Sequence, residues 1–311
     1  MVAAKTSDDL LDEVKVLAQT PPSDPRVTDA EMLELGSHAL SMEIADLFLS
    51  CGQARWVYTS SDVATIASTA LYRVPSRALA SGLSDLLIID SSGEIFDAPE
   101  IPLEDHWIFV QNRAGNGRSP YAYSFEGDHV RLAPTPADTS YSIRYRWPRQ
   151  PARLVTVAEC AKVATAGGVQ IVCDSIPSTM SSPLTIDVVE GTPHGDVLMQ
   201  DTAATFTGST FTVSAVDSEV ADEDYVCPVG TTCVPPIPES VWPFLVAMVA
   251  QEVIDAYGDG DAFARAEKRV RRRREMAVRA LAPRNRGETP VIINRHSALR
   301  GGRFTRGLGR G

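Results

Sequence analysis

Pro235-Pro-Ile-Pro-Glu-Ser-Val-Trp-Pro-Phe-Leu-Val-Ala-Met-Val-Ala250 is the stretch whose reading decides the expected fold. Its prolines suit a helix start, because a missing N–H costs nothing in the first turn. Trp242, Leu245, Val246, Val249, Val253 and Tyr257 recur at helical spacing, and the other positions up to Ala250 are apolar too. A helix that is apolar around most of its circumference belongs among other helices. The uncharged run is far too short to cross a bilayer, which takes about 20 apolar residues. Gly258-Asp-Gly260 breaks it, and Asp261 is the expected N-cap of a second helix reaching about Ala282. So short a turn makes the pair antiparallel. The second helix offers Phe263, Ala266, Val270, Ala277 and Leu281 to its partner. It turns a basic face, Arg271, Arg272, Arg273 and Arg274, to something else. Pro283 closes it.

Charge divides at the same place. From Phe263 to Gly311 the chain carries 15 Lys and Arg against 3 Asp and Glu, a net of +12. The preceding 262 residues carry 14 against 37, a net of −23, which recovers the −11 of the whole chain. Segregation on this scale argues for a partner, since net charge governs association rather than fold. Residues 283–311 are rich in Arg and Gly and hold one strand-forming triplet, Val291-Ile-Ile293. They carry too little apolar surface to offset their ordering entropy alone. They read as a docking arm on a partner. Val291, Ile292 and Ile293 would add a strand to another chain's sheet, with Phe304 and Leu308 as anchors. Arg300, Arg303, Arg306 and Arg310 would meet acidic or carbonyl groups beside it.

At the other end, Ser7-Asp-Asp-Leu-Leu-Asp-Glu13 reads as a helix start with Ser7 as cap. Leu10, Val14, Leu17 and Ala18 share one face of that helix. Thr20 to Pro25 is a stiff linker, and Thr28 with Glu31 forms a capping box, with Val27 and Met32 as its hydrophobic staple. Met32, Leu35, Ala39, Met42, Leu47, Phe48 and Cys51 give the core face of the helix that follows. These helices and the C-terminal pair are the long helical segments. The expected fold is therefore α+β: a helical bundle formed by both chain ends, carrying β-sheet domains and ending in an extended C-terminal arm. The expected division is 1–55 for the N-terminal helices, 56–154 for a β-rich domain and 155–235 for an inserted small β-domain. Residues 236–282 form the C-terminal helix pair, and 283–311 the arm.

The middle reads as strands. Thr69 to Pro75 and Ser140 to Trp147 alternate, the latter with Tyr141, Ile143, Tyr145 and Trp147 opposite Arg144 and Arg146. Ser91-Ser-Gly93 and Glu126-Gly-Asp128 each sit between two such runs and signal hairpins. Past Leu154 the aromatics thin out, and Val169–Cys173, Leu184–Val189, Asp196–Met199 and Thr210–Val216 read as short strands.

No catalytic constellation emerges, so no enzyme activity is expected. The five histidines lie far apart, and His106 beside Glu104 and Asp105 reads as a polar turn. Gly115-Asn-Gly117 lacks the strand and helix of a phosphate cradle, and Asp222-Glu-Asp224 lacks the spaced ligands of a calcium loop. Cys51, Cys160 and Cys173 stand alone, and the Cys227–Cys233 spacing matches no zinc module, so the cysteines read as buried thiols. No metal or cofactor is expected. With an acidic, polar N-terminus, no membrane segment and few cysteines, a soluble protein folded in a cytoplasm is expected.

Several stretches, in order, resemble tailed-bacteriophage head-to-tail adaptor (connector) proteins. They are the capped N-terminal helices, Leu71-Tyr-Arg-Val-Pro-Ser-Arg77, and Ile101-Pro-Leu-Glu-Asp105. Phe125-Glu-Gly-Asp-His-Val-Arg-Leu-Ala-Pro-Thr-Pro136 and Arg144-Tyr-Arg-Trp-Pro-Arg-Gln-Pro-Ala-Arg-Leu154 follow. Together they cover about half the chain, roughly residues 7–154. The resemblance implies a structural virion protein without a reaction. It implies a homo-oligomeric ring, usually of twelve copies, in the neck between capsid and tail, assembled in the host cytoplasm. Its implied partners are the portal protein, a tail or nozzle protein, and DNA passing through the channel without sequence specificity. The segment from about Val155 to Val234 departs from compact members of that family. The competing reading is a nucleic-acid-binding protein using the basic end, against which the acidic body argues. Another neck or tail structural protein is the remaining alternative.

Overall fold

A computed structural model describes residues 4–20, 26–51, 58–75, 77–79, 82–105, 107, 122–137, 139–192, 195–258 and 260–282. The arm residues Val291 to Arg310 lie outside these, as do His106 and Gly115 to Gly117.

Helix α1 spans Ser7–Ala18 and is capped by Thr6 rather than by the expected Ser7. The Thr6 hydroxyl accepts the Asp9 N–H, and the Asp9 carboxylate accepts the Thr6 N–H at 2.8 Å. Ser7 is buried instead, donating its N–H to the Cys233 carbonyl and its hydroxyl to that of Val155. Helix α2 (Asp29–Ala39) starts from the Thr28–Glu31 capping box and passes through a π-helical turn, Leu40–Ile44, into α3 (Ala45–Ser50). The wider turn rotates the apolar face. Leu40 and Ile44 are buried, while Met42, expected in the core, is exposed.

The first part of the middle supplies β1 (Tyr58–Ala64), β2 (Leu71–Arg73), β3 (Asp85–Ile89), β4 (Ile95–Asp97), β5 (Ala122–Glu126), β6 (His129–Ala133) and β7 (Ser142–Pro148). They form two antiparallel sheets, ordered β1-β7-β3-β4 and β2-β6-β5. One core serves both, including Tyr72, Leu86, Ile88, Val130, Leu132, Ile143 and Tyr145. Both expected hairpins are present, as β3–β4 and β5–β6. The short β8 (Arg153–Leu154) then leads on to β9 (Ala161–Gly167), β10 (Gln170–Cys173), β11 (Leu184–Val189), β12 (Val197–Thr207), β13 (Thr210–Thr212) and β14 (Tyr225–Pro228). These last six close into a barrel, in the order β10-β13-β12-β11-β14-β9, filled by Val163, Ile171, Ile186, Val188, Phe211 and Val226. Closure leaves no open edge for another chain to pair with. A final strand, β15 (Thr231–Thr232), pairs in parallel with β8.

Helix α4 (Trp242–Tyr257) ends at Gly258, whose φ of 75° is the left-handed conformation that glycine adopts without strain. Helix α5 (Gly260–Leu281) begins before Asp261, which lies in its first turn instead of capping it. Helix α4 packs against α1, α2 and α5, and its core takes in Leu154 and Ile237.

The expected α+β fold built on a helical bundle is overturned by this architecture. The described residues form a mostly β protein: a closed six-stranded barrel plus several sheets, with few helices. Two physical reasons account for the difference. Of the 22 residues of α5 only Ala266, Ala277 and Leu281 are buried, so it offers too narrow an apolar stripe to enclose a bundle. The strands are mostly short and join partners distant in sequence, so each contributes a weak local signal although together they dominate.

Specific contacts join the layers. The Leu154 N–H donates to the Ser37 hydroxyl oxygen at 2.8 Å, and that hydroxyl donates to the Leu33 carbonyl at 2.7 Å. Gly36 makes the close approach of α2 to β8 possible, since a Cβ there would stand 3.0 Å from Leu154 Cδ1. Arg77, after β2, places Nη1 2.6 Å from Asp187 Oδ2 in the barrel. The buried Asp187 carboxylate also accepts the N–H groups of Asp201 and Gly230, at 2.9 and 3.0 Å. These donors satisfy the hydrogen-bonding capacity that a buried carboxylate would otherwise leave unmet.

Candidate functional site

Helix α5 carries the strongest charge feature. The basic run holds four consecutive arginines, and consecutive residues of a helix point about 100° apart, so the run spans all sides of a turn. Arg271, Arg272, Arg273 and Arg274 are all exposed. Among the described residues, no carboxylate lies in salt-bridge range of any of them. Ala266, Ala277 and Leu281 hold the helix to the body. The arginines are thus presented on a packed support.

Beside this face runs a groove of about 690 Å³, between α1, α4 and α5. Its floor is apolar, with Val246 and Ala247 below and the exposed Val16 and Met276 at the margins. Asp12 and Glu13 stand on one wall, Arg269, Arg272 and Arg273 on the other. Glu13 is fixed by its neighbours: it accepts the Trp242 indole N–H at 3.0 Å and the Lys5 ammonium at 2.7 Å. That second hydrogen bond is the main reason the Lys5 pKa is raised above the ordinary lysine value. An apolar floor between walls of opposite charge suits a partner that is itself amphipathic and charged.

The arm positions Val291, Ile292, Ile293, Arg300, Arg303, Phe304, Arg306, Leu308 and Arg310 lie outside the described residues. Glu104 and Asp105 sit in an exposed 3₁₀ turn, Leu103–Asp105. The acidic turn at Asp222 is only partly solvated. Asp222 and Glu223 are exposed, but Asp224 is buried and accepts the N–H groups of Gly191 and Ala221 at 2.9 and 2.8 Å, which makes it a fastening of the barrel.

The cysteines hold what sequence reasoning missed. Cys160, Cys227 and Cys233, read as separate thiols, converge: their sulfurs all lie within 4.8 Å of one another, and those of Cys160 and Cys227 are 2.8 Å apart. All three are buried. Antiparallel pairing of β9 with β14 matches Ala161 to Val226 and Lys162 to Tyr225, which sets Cys227 opposite Cys160. Cys233 joins them just after β15. Hydrogen bonding to Cys227 and Cys233, then burial, pushes the Cys160 thiol up, so its proton is held tightly. Burial opposes ionisation of Cys227 as well, but its hydrogen bonding with Cys160 and Cys233 outweighs it and draws Cys227 down. The only sequence signal for this cluster is the sharing of three cysteines between the two ends of one β segment.

No protein-family profile matches the chain, and no curated protein matches it. Among the described residues, no helix is long and apolar enough to cross a membrane.

Proposed function

We propose that this chain is a structural subunit of a phage virion, assembling head to tail into a ring that serves as the head-to-tail adaptor under the portal. The observation that carries the reading is the exposed basic face of α5, without a salt-bridge partner among the described residues, on a chain whose first 262 residues hold a net −23. Two surfaces of opposite sign on one chain are complementary between copies rather than within one. Such heterologous contacts close into rings when the rotation per copy divides a full turn. An acidic body also suits a channel wall along which DNA slides without sticking. In this reading the arm, Val291 to Arg310, docks on the portal, and the tail or nozzle protein takes the opposite face of the ring.

Native mass measurement of the full chain, alone and with a portal protein, tests this. A closed multimer or a portal complex, weakened by salt, is the expected result. A monomer under all conditions that ignores the portal overturns it. Deletion after Pro283 should leave the far-ultraviolet helical signal unchanged and abolish attachment to DNA-filled heads.

The four exposed arginines also favour a second reading, direct binding of nucleic acid. Tight duplex binding with a steep inverse salt dependence, lost when Arg271 to Arg274 are all changed to Gln, would put that reading first.

A further inference from the structure

We propose that Cys160, Cys227 and Cys233 form a three-thiolate site for one thiophilic d10 divalent ion, of which Zn²⁺ is the natural candidate. Three sulfurs, rather than two, meet at one point: Cys160 just before β9, Cys227 within β14 and Cys233 just after β15. Thiolate is the donor such ions prefer. With Zn–S bonds of about 2.3 Å, sulfurs around a tetrahedral ion stand about 3.8 Å apart. Mutual distances within 4.8 Å lie near that arrangement, and the close Cys160–Cys227 pair, at 2.8 Å, would open by about 1 Å to reach it.

The surroundings fit a buried site. Val155, Val157, Val189, Val197 and Val234 pack around the cluster and shield it from bulk solvent. Three uncompensated thiolates would be prohibitively costly there, and a divalent ion removes most of that charge. Among the described residues no fourth His, Cys, Asp or Glu joins the three, so the ion keeps one position for water. On binding, each protonated thiol gives its proton to solvent, and no oxidation state changes. Cys160 stands where the chain passes into the barrel, and Cys227 and Cys233 where it leaves. One ion would therefore staple both connections of the barrel to the body.

The test uses the full chain, freed of metal by chelation, reduced with a phosphine and titrated with Cd²⁺. We expect a thiolate-to-cadmium charge-transfer band that saturates at one ion per chain and is removed by a strong chelator. Cys227→Ser and Cys233→Ser should each abolish it, while Cys51→Ser and Cys173→Ser leave it intact. Should the first two variants not fold, unmodified protein decides the matter: Zn²⁺ should raise its thermal unfolding midpoint by several degrees, reversibly with chelator. Absence of both band and shift overturns the site, as does full binding by Cys227→Ser. So does a protein that, isolated without metal, has lost two of these thiols to a disulfide.

Discussion

Helix α4 and strand β12 show how differently the two ends of this fold hide apolar surface. Helix α4 buries nine of its 16 residues, from Trp242 to Ile254. Strand β12 has 11 residues and buries only Met199 and Ala204. Burial in the helical layer is concentrated in a segment that many neighbours share. In the barrel it is spread thinly over six strands, so closure depends on a few large side chains, Phe211 foremost. The barrel should therefore be sensitive to single truncations at its plug, and the helical layer to changes along one stripe.

The largest effect expected is for Phe211→Ala. Phe211 is fully buried and meets Phe206 edge to face, with centroids 5.4 Å apart. Its truncation should cost about 3–5 kcal/mol of unfolding free energy in urea titration. Leu245→Ala, at a site with 0% exposure in α4, should cost about 2–5 kcal/mol. A loss below about 1 kcal/mol would place that face at a more yielding contact and weaken the contrast. Should Leu245→Ala cost clearly more than Phe211→Ala, the barrel does not depend on its plug.

Ser37→Ala probes the seam between α2 and β8. It leaves the Leu154 N–H without its acceptor, and about 1–3 kcal/mol should be lost. Thr28→Ala removes a cap from the helical layer alone, with an expected cost of about 1 kcal/mol, readable in the same titration.

The smallest effect belongs to the paired sheets. Arg144 grips Asp62 across β1 and β7 through two hydrogen bonds, at 2.7 and 2.8 Å. The hydrogen bond from Arg144 is the main cause of the lowered Asp62 pKa, with charge attraction adding to it and burial opposing. A carboxylate whose folded pKa is depressed stabilises the fold above its unfolded pKa, and the contribution fades as pH falls through the folded value. Asp62→Asn should therefore lower stability slightly at neutral pH, and the difference from the parent should vanish in acid. A gap that persists in acid would assign the effect to packing.

Local features are legible in the order of residues alone. The Thr28–Glu31 capping box, the Gly258 helix end and the hairpins at Ser91-Ser-Gly93 and Glu126-Gly-Asp128 each need only residues within a turn or two of one another. The basic run of α5 is equally visible, because four adjacent arginines cannot share one face of a helix. Strands β1, β9 and β14 give no comparable signal. Ala161 to Gly167 reads Ala-Lys-Val-Ala-Thr-Ala-Gly, and Ser60-Ser-Asp62 is polar, so neither shows a strong alternating pattern.

What the sequence determined by itself is the Thr28–Glu31 helix start, the Gly258 helix end, two hairpins and the placement of charge, all set by neighbours along the chain. Tertiary structure alone decided the barrel, the balance of β over α, and the cysteine cluster. Asp62 meets Arg144 across 82 positions, and Cys160 meets Cys227 across 67. Pairing at such separations is chosen by closure of the whole sheet and by filling of its core, and no local window of sequence contains that choice.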